Sequence, residues 1–198
     1  MPRTIEVKVL GSWEVSAGRS SVPIPPGHLR SLLSALLLTV GQPVRVDTLA
    51  ERLWGERQPA NVRGTLSTYI ARLRRLLGSD AIVSYPGGGY SLYVNEDHVD
   101  LHRFRNLLRR SRGADNELCL LHEALGLWRG RPFTGVESGW LERDVVPALT
   151  EEWFTATERR IDLDLAGGSS NELIAELWQL TNDYALRESL WFRLITSL

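Results

Sequence analysis

Of 198 residues, one is cysteine, one is methionine and one is lysine. A single cysteine, Cys119, excludes an internal disulfide and fits a reducing compartment. It sits in an apolar helical pattern and is expected to be a buried thiol. No apolar run approaches the ~20 residues of a membrane-spanning helix. The longest, around residues 35–40, is punctuated by Ser34 and Thr39. The opening MPRTIEVKVL has neither an apolar h-region nor a cleavage site, so no secretory signal is expected and the location is read as cytoplasmic. Catalytic patterns are missing as well. No GxSxG surrounds a serine, and no Cys/His pair has a familial signature. The glycine-rich PGGGY lacks the Lys-Ser/Thr of a phosphate loop. The stretch EDHVDLH gathers Asp97, His98, Asp100 and His102, yet has no HExxH or cysteine support. It reads as a linker and a helix cap. Glu151 and Glu152 read as a solvated helix face. No enzyme, metal or cofactor is expected.

What is present is an uneven charge. Residues 1–94 hold eleven basic and six acidic side chains, net +5, and residues 95–198 hold twelve basic and eighteen acidic, net −6. Two domains with different partners follow, and the basic half suits a polyanion.

Hydrophobic periodicity gives the order of elements. Ile5, Val7 and Val9 alternate with Glu6 and Lys8, a half-buried strand that resumes at Trp13 and Val15 beyond Gly11. Val22 and Ile24 form another short strand. Leu29, Leu32, Leu33, Leu36, Leu37 and Val40 make a helical stripe ended near Gly41. PVRV has strand character. Asp47 is placed as the N-cap of a second helix, with Leu49, Leu53 and Trp54 on its buried face and Gly55 at its end. Pro59 is placed in the first turn of a third helix. At ~100° per residue, Val62, Leu66, Tyr69, Ile70, Leu73 and Leu77 cluster on one side of it. Gly64, Ser67, Thr68, Ala71 and Arg75 lie opposite, flanked by Asn61, Arg72 and Arg74. Residues 82–94, IVSYPGGGYSLYV, read as a hairpin, and NEDHVD as a linker. Helices follow at about 101–112, 115–128, 138–166, 170–182 and 185–198, with GGSS between the third and fourth. Trp128, Trp140, Trp153, Trp178 and Trp191 recur at helical positions. Most are expected in the core and one or two at an interface. The reading is an α+β domain over 1–95 and an all-α domain over 96–198.

Three helices, the third polar and basic outside, with a hairpin directly after, describe a winged helix-turn-helix. A helix fits the major groove. Small residues let it approach the bases, and arginines pair with phosphates or with a guanine edge. A basic solvated face is the alternative for residues 63–78 alone. The element order favours the winged helix.

The stretch VDTLAERLWGERQPANVRGTLSTYIARLRRLLG followed by GGGYSL resembles the OmpR-type winged helix. VDLHRFRNLLRRSR, LHEALGLWRGRPF and LRESLWFRLI resemble a bacterial transcriptional activation domain. Their order, over residues 5–198, resembles the Streptomyces antibiotic regulatory protein family. That resemblance implies a DNA-reading third helix, with Arg63, Ser67, Thr68, Arg72, Arg74 and Arg75 as contacts and Tyr69 a poorer candidate. It implies a wing at Tyr85, Gly87, Gly88 and Gly89, and a polymerase-facing loop in which Glu56 and Arg57 are the exposed candidates; a bare connecting loop is the alternative there. It further implies a tetratricopeptide-like second domain. The implied activity is transcriptional activation of a secondary-metabolite gene cluster, by tandem binding as a pair to direct repeats in double-stranded DNA and recruitment of RNA polymerase holoenzyme. A protein–protein adaptor, with the winged helix as scaffold, is the alternative. The sequence departs from the family in three places. The family usually carries asparagine at Gly64, glutamine near Ser67 and arginine where Tyr85-Pro86 opens the wing turn. No phosphate-receiver domain is expected ahead of the winged helix. The family also continues past LRESLWFRLITSL, so an unpartnered apolar face is expected at the C-terminal end.

Overall fold

The computed structural model describes residues 4–168 and 171–197. Ser169 and Ser170 of the GGSS break, and Leu198, lie outside the described residues. The chain forms two compact units. One holds the chain up to Arg103 together with Trp128–Leu149; the other holds Phe104–Leu127 and the chain from Thr150 onward.

The first unit opens with an antiparallel sheet of β1 (Ile5–Lys8), β2 (Glu14–Ala17) and β3 (Ser20–Ser21), with Val7 opposite Val15. Alternation in β1 buries Ile5 and Val7 and exposes Glu6 and Lys8, as a one-sided strand requires. Val22 and Ile24 lie beyond β3 and belong to no strand. Three helices follow: α1 (His28–Leu37), α2 (Val46–Trp54) and α3 (Val62–Leu77). They pack pairwise around Leu32, Leu33, Leu36, Leu49, Leu66, Ile70 and Leu73, none more than 1% exposed. The PVRV strand, β4 (Val44–Arg45), joins β5 (Ile82–Tyr85) and β6 (Gly89–Leu92) in a second antiparallel sheet with β6 at its centre.

Two caps differ from the sequence expectation. Arg45 holds the N-cap position of α2, while Asp47 lies inside the first turn and makes no capping bond. Its carboxylate still favours the positive end of the helix. For α3 the cap is Asn61, whose Oδ1 accepts from the Gly64 N–H at 2.9 Å, so Pro59 precedes the helix.

The expected linker forms a short 3-10 turn, Glu96–His98, and only its end, Val99 and Asp100, is buried. Val99 is fully buried and bridges to Val7, and Asp100 opens α4 (Asp100–Ser111). The Asp100 carboxylate reaches the chain just after β1. It accepts from the N–H of Val9 at 2.8 and 2.9 Å, from that of Leu10 at 3.0 Å and from Arg129 at 3.3 Å. The residues around Arg129 and Phe133 then pair with the connection between β1 and β2. The N–H groups of Arg129, Phe133 and Thr134 donate to the carbonyls of Leu10, Val9 and Gly11, and Trp13 donates to Thr134. Further along this strap, Glu137 O accepts from Ser31 and Gly135 O from Arg30, while the Trp140 ring lies 4.5 Å beneath the Arg52 guanidinium. These contacts bury the side of α1 that its leucine stripe does not. Phe133 adopts φ +58° with its ring buried. Such a backbone costs about 1–3 kcal/mol, and the Val9 bond and ring burial hold it.

The second unit is helical: most of α4, then α5 (Glu117–Leu125), most of α6 (Val146–Gly167), α7 (Asn171–Asp183) and α8 (Glu188–Ser197). A five-residue π-turn, Leu141–Val145, leads into α6. Pro147 has no N–H to offer the Arg143 carbonyl, which favours this local widening. Phe154, Ile161, Leu173, Leu177, Leu190 and Leu194 form the core. Cys119 is exposed, contrary to expectation. Burial in the nine-residue α5 runs through Leu120, Leu121 and Ala124, and Cys119 falls off that stripe. The tryptophans also lie farther out than expected. Trp128, Trp140 and Trp153 are half-buried, and Trp178 and Trp191 are exposed.

Candidate nucleic-acid interface

The buried side of α3 carries Leu66, Ile70, Leu73 and Leu77. That stripe fixes the rotation of the helix, and so fixes what it shows to solvent. Arg63, Ser67, Thr68, Ala71, Arg72 and Arg75 are all exposed. No acidic residue occurs between Glu56 and Asp80. Among the described residues, Arg63, Arg72 and Arg75 make no ion pair. The contrast with the second unit is sharp. There Arg105 forks onto Glu152, Arg159 onto Glu117 and Arg193 onto Asp162, while Arg160 and Arg187 each hold two carboxylates. On α3 three guanidiniums remain available to an external anion.

Arg74 is placed differently. Its Nε donates to the Ile82 carbonyl at 2.8 Å and an NH2 to Ser84 Oγ at 2.9 Å. It braces β5 against α3, so it positions the hairpin while adding charge. The Thr68 hydroxyl donates to the Gly64 carbonyl at 3.0 Å, which leaves its oxygen lone pairs and its methyl group facing outward. The small residue at Gly64 has a local reason: a Cβ there would lie 2.5 Å from the Asn61 side chain that caps the helix. Tyr69 is half-buried, its ring stacked on His28 at 5.9 Å and tilted to Trp54 at 6.3 Å.

The hairpin turns over Pro86–Gly88, with Gly88 at φ +79° and its N–H bonded to the Tyr85 carbonyl. This is a three-residue loop closed by a left-handed residue. Gly87 is exposed. Gly89 is buried in β6, where a Cβ would stand 2.7 Å from the Val44 carbonyl oxygen of β4. Gly89→Ala is therefore expected to lower stability by about 1–3 kcal/mol, and Gly87→Ala, with open space around it, to leave it unchanged or slightly raised. Thermal denaturation of the two variants checks this, and equal midpoints would sink it. The Tyr85 hydroxyl meets that of Tyr93 at 2.6 Å. That bond, chiefly, pushes the Tyr85 phenol above its usual range. Glu56 and Arg57 are exposed in the loop between α2 and α3, where the Arg57 N–H bonds the Trp54 carbonyl. His28 did not figure among the sequence candidates. It precedes the leucine stripe of α1, and only tertiary packing brings its ring to Tyr69.

Within EDHVDLH, Asp100 and His102 serve the fold. Asp100 holds the Val9 and Leu10 N–H groups, and His102 Nε2 lies 2.6 Å from the Leu37 carbonyl. No cluster of three or more metal-ligating side chains occurs among the described residues.

Comparison with known proteins agrees with this geometry. Residues 26–92 match the family model described as transcriptional regulatory protein, C terminal, and residues 99–198 match the bacterial transcriptional activator domain. The chain is 35% identical over 197 residues to the regulatory protein AfsR of Streptomyces griseus, covering 96% of this chain and 20% of that one. It is 31% identical to the transcriptional regulator RedD of Streptomyces coelicolor, covering 93% of this chain and 56% of the relative. The structure of Mycobacterium tuberculosis EmbR, solved in complex with a low-affinity phosphopeptide, superposes with a TM-score of 0.90 at 28% identity, over 98% of this chain and 54% of that one. The chain thus spans a fifth of the first relative and about half of the other two. With a winged helix-turn-helix of the OmpR type followed by the activator domain, the chain belongs to the Streptomyces antibiotic regulatory protein family of transcriptional regulators.

Proposed function

We propose that this chain is a sequence-specific DNA-binding transcriptional activator that controls a secondary-metabolite gene cluster. One observation carries the reading: the exposed, acid-free face of α3, with Arg63, Arg72 and Arg75 unpaired among the described residues. Ser67 and Thr68 lie about one to one and a half turns beyond Arg63 and offer hydroxyl groups to base edges, while Arg72 and Arg75 supply charge to phosphates. Arg74 sets the hairpin, whose Tyr85, Gly87 and Gly88 reach the backbone beside the groove. Gly89 contributes through the fold of that hairpin. Two copies bind direct repeats one helical turn apart, so that each α3 meets the same side of the duplex. Glu56 and Arg57 then face RNA polymerase holoenzyme. The protein works in the cytoplasm. No helix among the described residues is long and apolar enough to cross a membrane.

The test is binding to a duplex bearing two direct repeats one turn apart, against a scrambled duplex, over a salt series. Preference for the repeats, with log K falling by about 0.9 per log unit of salt for each phosphate neutralised, is the expected result. Equal and weak binding to both duplexes overturns the reading. The second reading, a protein–protein adaptor, draws on one observation. Leu186, Phe192 and Ile195 are 98%, 71% and 70% exposed in and before α8, and apolar exposure on that scale suits a protein partner.

A further inference from the structure

Beside α3 lies a trough of about 640 Å³, walled on one side by the segment Pro23–Leu29 and on the other by Tyr69, Arg72, Arg75 and Leu76. We propose that this trough binds a small aromatic monoanion, and that such an anion and DNA exclude each other. The second part rests on the DNA-binding reading above.

Three features converge on that ligand. The volume lies within the range of small-molecule sites. The walls are preformed, because Pro23, Pro25 and Pro26 have fixed φ and leucine stripes hold α1 and α3 in place. Tyr69, Arg72 and Leu76 fall at i, i+3 and i+7, one stripe of α3, with Arg75 beside it. Proline, leucine and aromatic surfaces accept a planar apolar ring. The polar chemistry has one sign. No carboxylate lines the trough, and neither Arg72 nor Arg75 has an acidic partner among the described residues. Guanidinium recognises a carboxylate or sulfonate through two parallel N–H bonds and also stacks on aromatic rings. A neutral ring would leave two cations beside it unneutralised, and an inorganic anion would leave the apolar walls unused. A ligand combining ring and charge satisfies both. Arg72 and Arg75 are also the cations assigned to phosphates, so a bound anion takes from DNA the groups that hold it.

The experiment uses the full chain, with 1-naphthoate as the probe and neutral 1-naphthamide as its isostere. Protein NMR follows binding, and anisotropy of a labelled direct-repeat duplex follows DNA. Naphthoate is expected to bind at least tenfold more tightly than naphthamide, with shifts confined to residues 23–29 and 69–76. At ten times its own Kd it should weaken DNA binding about tenfold, the factor for mutually exclusive ligands. Leu76→Trp, which fills the trough without changing charge, should lose naphthoate while still binding DNA. Equal affinity for the two probes, shifts elsewhere, or unchanged naphthoate binding by Leu76→Trp would each overturn the site. Should that variant fail to fold, the probe pair and shift map on the wild-type chain decide the matter. Simultaneous binding of naphthoate and DNA overturns the exclusion alone. Naphthoate binding by a chain that does not bind DNA leaves the anion site standing and removes the DNA reading.

Discussion

Replacing Arg72 and Arg75 together with alanine is expected to weaken binding to a direct-repeat duplex by about 30- to 160-fold near physiological salt, corresponding to about 1–1.5 kcal/mol for each lost contact. The slope of log K against log salt should flatten by about 1.8, since each phosphate contact contributes about 0.9. Stability should stay within about 0.5 kcal/mol of wild type, because both side chains are exposed and make no ion pair among the described residues. Arg74 is the wrong residue for this test, although its charge is equal. Arg74→Ala removes the bonds to Ile82 and Ser84 and costs about 1–2 kcal/mol in hydrogen bonding. Lost affinity there would mix lost charge with a loosened hairpin. An Arg72/Arg75 double variant that keeps both affinity and salt slope would show that α3 presents only a solvated basic face. It would favour the adaptor reading, which draws on the exposed Leu186, Phe192 and Ile195.

Periodicity made α3 legible. Leu66, Ile70, Leu73 and Leu77 repeat at helical spacing, so the buried side, and by subtraction the basic side, follow from sequence. The hairpin was legible because Pro-Gly-Gly-Gly stands between alternating residues. Roles that depend on distant backbone were not. Arg74 falls beside Arg72 and Arg75 on a helical projection, and only the position of β5 shows that its guanidinium is engaged by the Ile82 carbonyl. Gly89 reads as one more turn glycine until β4 is placed against it. Val44 and Arg45 had strand character, but no local pattern names β6 as their partner. The strap from Trp128 to Leu149 is held largely through its backbone, by carbonyls of Val9, Leu10 and Gly11, and main-chain hydrogen bonding leaves little trace in side-chain composition. Asp100 misled for a related reason. An aspartate in a polar run reads as a linker, and its burial is decided by N–H groups about ninety residues away.

Asp100→Ala should destabilise the first unit by about 3–5 kcal/mol, among the largest effects of any single substitution in this chain. Val9 and Leu10 are fully buried, and both of their N–H groups end on this carboxylate. Alanine would leave two buried donors unsatisfied, at about 1–3 kcal/mol each. Arg129 adds less, because Glu14 at 3.1 Å remains as a partner. Asp100→Asn should fall between, since one amide oxygen still accepts while the NH2 group faces another donor. Hydrogen exchange at the Val9 and Leu10 amides reads the loss locally, and protection equal to wild type in the alanine variant would sink the argument. The same group gives a pH dependence of defined sign. Burial, chiefly, raises the Asp100 carboxyl above its usual range, against the pull of the Val9 and Leu10 N–H groups and Arg129. The folded state therefore binds its proton more tightly than the unfolded state does. The stability this contributes is fully present below the ordinary carboxylate range, around pH 4, and is lost as pH rises through the raised folded value. Measured against Asp100→Asn, which does not titrate, the wild-type advantage should shrink as pH rises from about 3.5 toward neutrality. An advantage that grows instead would mean that the three donors outweigh burial, and that this carboxylate is held as an anion inside the fold.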